Sequence, residues 1–138
     1  MWYTQQLILH GAVVLLIGLI CGAPLGSAVV RAKPEERVRG WRVAHSSLIM
    51  GGILLLAVAG TADKLRLGAV AQHVLVWSLV ISSYGFAVVL PLAAHYGLRG
   101  LTPARPLLNR VIYVGNMIGA AGLTIGSVVL LWGAYGAL

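Results

Sequence analysis

A chain of 138 residues is one domain in length, yet 59% of it is apolar and only 9% charged, where soluble domains carry about 25% charge. That leaves too little polar surface to coat a water-exposed ball, which excludes a soluble enzyme and a disordered chain. The net charge of +7 does not mark a nucleic-acid binder either, because the basic residues sit in loops between apolar blocks and not along one continuous face.

Four stretches carry no charge: residues 1–30, 43–62, 67–98 and 111–138. Each reaches the roughly 20 residues that cross a ~30 Å hydrocarbon layer as helix. Strand-like alternation is absent, and lipid admits only helices or closed barrels. The pattern predicts an all-α, integral membrane four-helix bundle, a single domain over 1–138 with spans near 5–30, 41–62, 66–97 and 108–136. The first stretch lacks the positive n-region of a secretory signal and is read as a retained helix. Its Gly18, Gly22 and Gly26 recur every four positions, and Cys21 is read as filler. The third stretch would reach about 48 Å as helix, so it must tilt, project from the bilayer or break near Pro91. The fourth carries Gly115/Gly119 and Gly122/Gly126. Such rows bring helix backbones close in lipid, either within the chain or between subunits. Arg31, Lys33, Arg37, Arg39 and Arg42 in the first loop, with Arg99, Arg105 and Arg110 in the third, outweigh Lys64 and Arg66 in the second. Positive-inside reasoning places loops one and three in the cytoplasm and both termini outside.

Polar groups inside the spans need a partner or a cavity. By position His10 and His73 fall at similar depth toward the outer face, and His45 and His95 toward the inner one. No span carries a carboxylate, which leaves a hard-metal site or a paired-carboxylate hydrolase without ligands, and no Cys/His spacing fits structural zinc. A neutral imidazole remains a good ligand for haem iron. Around His45, the small residues Ala44, Ser47, Gly51 and Gly52 leave a bare strip of helix suited to a flat macrocycle. His73, Trp77 and Tyr84 share one face of the third span; Tyr113, Asn116, Ala120, Thr124 and Ser127 form a stripe on the fourth. These faces either line a pocket or hydrogen-bond between helices.

One series is more specific than spacing. Gly40-Trp41-Arg42-Val43-Ala44-His45-Ser46 opens the second span, Ala62-Asp63-Lys64 follows it, Trp77 and Tyr84 lie on the third, and Arg99-Gly100-Leu101-Thr102 comes after. In this order, over residues 40–102, the chain resembles the styrene oxide isomerases, small bacterial four-helix membrane proteins that hold haem b and rearrange aryl epoxides to aldehydes. The resemblance implies His45 as the axial ligand of a ferric haem b, with Gly51, Gly52 and Trp77 beside the cofactor, and Tyr84 as the residue that orients the substrate. The family's second substrate-positioning residue, an asparagine, falls on Gly51, and Asn116 is the candidate to supply an amide in its place. The resemblance further implies a homo-oligomer, a trimer, in the bacterial inner membrane, and a small apolar epoxide that arrives from the lipid bilayer.

The expected chemistry follows from that set. With no general acid and no nucleophile paired to a base, the reaction falls to the iron as Lewis acid on the epoxide oxygen. Opening beside the aryl group and a 1,2-hydride shift yield the aldehyde, with Tyr84 orienting the ring and Trp77 keeping out water. Two other readings stand beside it. A bis-histidine cytochrome b would clasp haem between His45 and His95, or between His10 and His73, and carry electrons; a structural membrane subunit would hold no cofactor.

Overall fold

The computed structural model describes residues 2–138, and among them there is no strand. Helix α1 spans Trp2–Ile20 and α2 Gly22–Val30; α3 spans Glu35–Thr61 and ends in a 3-10 turn at Ala62–Lys64; α4 spans Ala69–Tyr96 and α5 Leu107–Tyr135. These make four segments long and apolar enough to cross a membrane, with α1 and α2 together forming the first, Trp2–Val30. The all-α four-helix membrane architecture expected from hydropathy is the architecture observed.

Two boundaries differ from expectation for identifiable reasons. The first span is interrupted at Cys21, three residues before Pro24, whose missing N–H cannot reach back to the Ile20 carbonyl. Cys21 keeps helical dihedrals (φ −61°, ψ −15°), so the interruption is slight. Pro91, by contrast, lies inside α4 without breaking it. The 28 residues of α4 extend about 42 Å, and Gly97 closes the helix in the left-handed conformation (φ 68°), its N–H donating to the Ala93 carbonyl. Helix α3 begins at Glu35, earlier than the hydropathy minimum suggested: Pro34 sits at the N-cap, and Glu35 and Glu36 place negative charge against the positive end of the helix. Its first two turns are helical but charged, hence invisible to a search for apolar residues.

α1, α3 and α4 enclose the main core, where Leu7, Val14, Leu48, Leu55, Val76 and Leu79 are buried. α5 packs extensively against α4 alone, over a smaller cluster of Val89, Ala93 and Ile112. The glycine rows account for both close approaches. A Cβ on Gly18 would stand 2.7 Å from the Ile49 backbone nitrogen, and one on Gly52 would stand 2.7 Å from Leu15 N. On α5, Gly119 faces the Phe86 ring, while Gly122 and Gly126 lie against Ser78, Ser82 and Leu79. Ser82 Oγ completes that seam by donating to the Gly119 carbonyl. Of the glycines in these rows only Gly26 has nothing near it, so the rows serve contacts within one chain.

Candidate functional site

His45 projects from α3 toward the first span. Its Nδ1 is 2.8 Å from the Gly18 carbonyl oxygen. A carbonyl only accepts, so Nδ1 carries the proton and Nε2 is left with its lone pair. Among the described residues Nε2 has no hydrogen-bond partner. The ring has room because position 22 is glycine: a Cβ there would come within 3.1 Å of His45 Cε1. A histidine whose second nitrogen is held by a carbonyl, with a free Nε2 on a half-buried ring, is the donor set of an axial haem ligand. The residues present therefore fit the group.

The two glycines beyond His45 part company. Gly52 is buried against the backbone of Leu15, so its place on a bare strip for a macrocycle is taken by α1. At Gly51 a side chain would meet only Val14 Cγ1, at 3.9 Å, and that position stays open.

Tyr84 faces α1 at another level. Its hydroxyl lies 2.9 Å from His10 Nδ1, and His10 Nε2 lies 3.2 Å from Gln6 Oε1. Trp77 adds a ring 6.2 Å from that of His10 and remains 42% exposed. His10 precedes Gly18 by eight residues on α1, so the tyrosine cluster and the His45 ring are separated by about 12 Å along the helix axis.

Asn116, the candidate for a substrate-facing amide, makes its hydrogen bond to the loop that follows α4. Its Nδ2 donates to the Gly100 carbonyl at 3.1 Å, and it serves the loop between α4 and α5. Asn109, two turns earlier on the same face, accepts from the Gly100 N–H (3.1 Å) and donates to the carbonyls of Thr102 (2.8 Å) and Ala104 (3.2 Å). Gly100 itself is left-handed (φ 57°), and a Cβ there would overlap Ile112. The Arg99-Gly100-Leu101-Thr102 motif is thus a loop pinned to α5 by two asparagines. Asn109→Ala would strand a buried N–H and two carbonyls, a loss of about 2–3 kcal/mol. A lower melting temperature and faster tryptic cleavage at Arg99 or Arg105 are the expected readouts; an unchanged cleavage rate would count against the pinning.

The histidine pairs required for a bis-histidine haem are not brought together. Both His10 nitrogens already have partners. His73 stacks on Trp2 (centroids 4.6 Å) and lies 2.8 Å through Nδ1 from the Ala69 carbonyl. α1 and α4 run parallel, with Trp2 level with His73, so His10 lies about 12 Å further along and not at the same depth. For the other pair, a Cβ on Gly40 would be 2.9 Å from Ala94 Cα on antiparallel α4. His95 therefore diverges from His45, and its ring meets Tyr96 instead (4.9 Å).

Two signals were missed at the level of sequence, Gln6 and Asn109. Both were legible in principle: Gln6 stands one turn before His10, and Asn109 seven residues before Asn116, each pair on a shared helical face. The motifs around residues 40 and 99 also meet in space, across a groove of about 350 Å³ lined by Arg39, Gly40, Val43, Leu98, Arg99 and Leu101.

No curated protein and no solved structure matches the chain. A family model described as styrene oxide isomerase matches residues 3–135, from the turn that bears Gln6 to the end of α5. With nearly its whole length covered, the chain belongs to the styrene oxide isomerase family.

Proposed function

We propose that this protein is a haem-b-dependent membrane isomerase that converts a small aryl epoxide of the styrene oxide type to its aldehyde. The observation that carries the reading is His45, held through Nδ1 by the Gly18 carbonyl so that Nε2 is presented as a ligand, in a chain of this family. When bound there, ferric haem supplies a Lewis-acidic iron for an epoxide oxygen.

The chain's own residues do the rest. The Gly18 carbonyl fixes the imidazole tautomer, and Gly22 leaves the ring its place. Tyr84, presented on α4, orients the epoxide through its hydroxyl. Trp77 and the apolar walls of α1 and α4 keep out water, which would trap an opening ring as a diol. The isomerisation takes up neither water nor electrons, in keeping with apolar stretches, 43–62 among them, that hold no carboxylate. An apolar substrate partitions into the bilayer and meets the site from there. The family resemblance supports the bacterial inner membrane and a homotrimer; since the glycine rows are occupied within the chain, subunits would meet through other faces.

The direct test is haem-loaded, ferric protein in detergent with styrene oxide. Phenylacetaldehyde, detected by gas chromatography, is the expected product. Its absence, with haem bound, would remove the catalytic assignment.

A further inference from the structure

Tyr84, His10 and Gln6 form one hydrogen-bonded chain inside the membrane-spanning part of the protein. The phenol oxygen is 2.9 Å from His10 Nδ1, and His10 Nε2 is 3.2 Å from Gln6 Oε1. The two rings meet edge-on, with centroids 5.5 Å apart and planes at 85°. Three polar side chains in lipid are costly unless they satisfy one another. These do, and in doing so they limit the protons to two arrangements.

A neutral imidazole has one N–H. With the Gln6 oxygen facing Nε2, that N–H points at Gln6, Nδ1 accepts, and Tyr84 directs its proton to His10. The phenol then presents only lone pairs, as does an epoxide oxygen, and the two cannot hydrogen-bond. Turning the Gln6 amide by 180° exchanges its N and O with almost no change in shape. Gln6 then donates to Nε2, Nδ1–H donates to the phenol oxygen, and the Tyr84 O–H is free to donate elsewhere. The heavy atoms keep their places while the chain reverses direction.

We infer that His10 is a positioning residue for Tyr84, and that Gln6 sets the direction of the chain, so that the phenol is held in place with its proton free for the epoxide oxygen while His10 donates to it. The inference rests on the role proposed above for Tyr84, but the hydrogen-bond chain itself does not.

The test compares Tyr84→Phe, His10→Phe, the double variant and His10→Asn. Loss of a donor aimed at a reacting oxygen lowers turnover by roughly 100- to 1,000-fold, and a fall in kcat toward that size is the expected effect of either Phe variant, with KM within about threefold. The double variant should be no worse than Tyr84→Phe, and His10→Asn, whose amide can replace Nδ1, should recover most of the rate. Purely structural packing by His10 would give additive losses and no rescue, overturning the inference. If Tyr84→Phe is impaired while His10→Phe turns over normally, the inference fails and the proposed function stands. If Tyr84→Phe retains wild-type kcat, the substrate-orienting role fails first and the inference with it. An infrared measurement needs no turnover: the phenol C–O band of ring-labelled Tyr84, identified by subtracting the Tyr84→Phe spectrum, should shift in His10→Phe and in Gln6→Leu. A band unmoved in both would overturn the chain.

Discussion

His45→Ala protein is expected to purify as a folded helical membrane protein without a Soret band, and to leave styrene oxide unconverted. Folding should survive because the ring is only half-buried and its protein hydrogen bond, to a carbonyl already within a helix, contributes about 1 kcal/mol. Haem binding should not, since His10 is engaged at both ends and His73, although its Nδ1 is likewise held by a carbonyl, is exposed at the far end of α4 against Trp2, while His95 lies against Tyr96. Gly22→Leu is the companion variant. It retains the ligand but drives a side chain into the space of the His45 ring, where a Cβ alone would approach to 3.1 Å. Disturbing the surroundings of a ligand costs about 10- to 100-fold in affinity, so haem should be retained weakly and titrate back at excess. Absorbance per mole of protein reads both effects, and full haem retention in His45→Ala would refute the ligand assignment.

Gly52→Leu should be strongly destabilising. A Cβ at position 52 already comes within 2.7–2.8 Å of Leu15 N, Cβ and Cα, and backbone cannot step aside as a side chain can. The neighbouring crossing, where Gly18 meets the backbone of Leu48 and Ile49, would be prised open with it. Overpacking at such a site costs about 3 kcal/mol, or a midpoint lower by roughly 10 °C for a chain of this size. Gly51→Ala and Gly60→Ala are the controls: only Val14 Cγ1 lies near the first, at 3.9 Å, and nothing within 4 Å of the second. Both should hold or slightly raise the midpoint, as alanine favours helix. Circular dichroism in detergent distinguishes the three, and a Gly52→Leu midpoint equal to that of Gly51→Ala would show that the α1–α3 crossing does not depend on the missing side chain.

The glycine seams bear on how subunits can associate. Rows on α1 and α5 were compatible with contacts between chains, but the structure fills them with Leu48, Ile49, Phe86, Ser82 and Leu79 of the same chain. The faces that remain apolar and open lie elsewhere, such as the side of α5 bearing Val114, Ile118, Ile125 and Trp132.

Hydropathy and charge placement by themselves determined that this is a four-helix membrane protein, because hydrocarbon tolerates no unpaired backbone and no isolated charge, and that constraint acts on composition directly. The ordered motifs from Gly40 to Thr102 were likewise enough to point to the family. What they left open was partnership, which depends on the offset between helices and not on distance along the chain. A shift of two turns in the α1–α4 register sets Trp2, and not His10, beside His73, and so dissolves the paired-histidine alternative. The antiparallel crossing of α3 and α4 at Gly40 and Ala94 carries His95 away from His45. Only tertiary packing showed Asn116 bonded to the loop at Gly100, gave Gly52 to the α1 backbone, and joined Gln6 and His10 to Tyr84. Side chains of the same type at the same depth are equivalent in sequence, and it is the rotation of each helix about its axis that selects which of them meet.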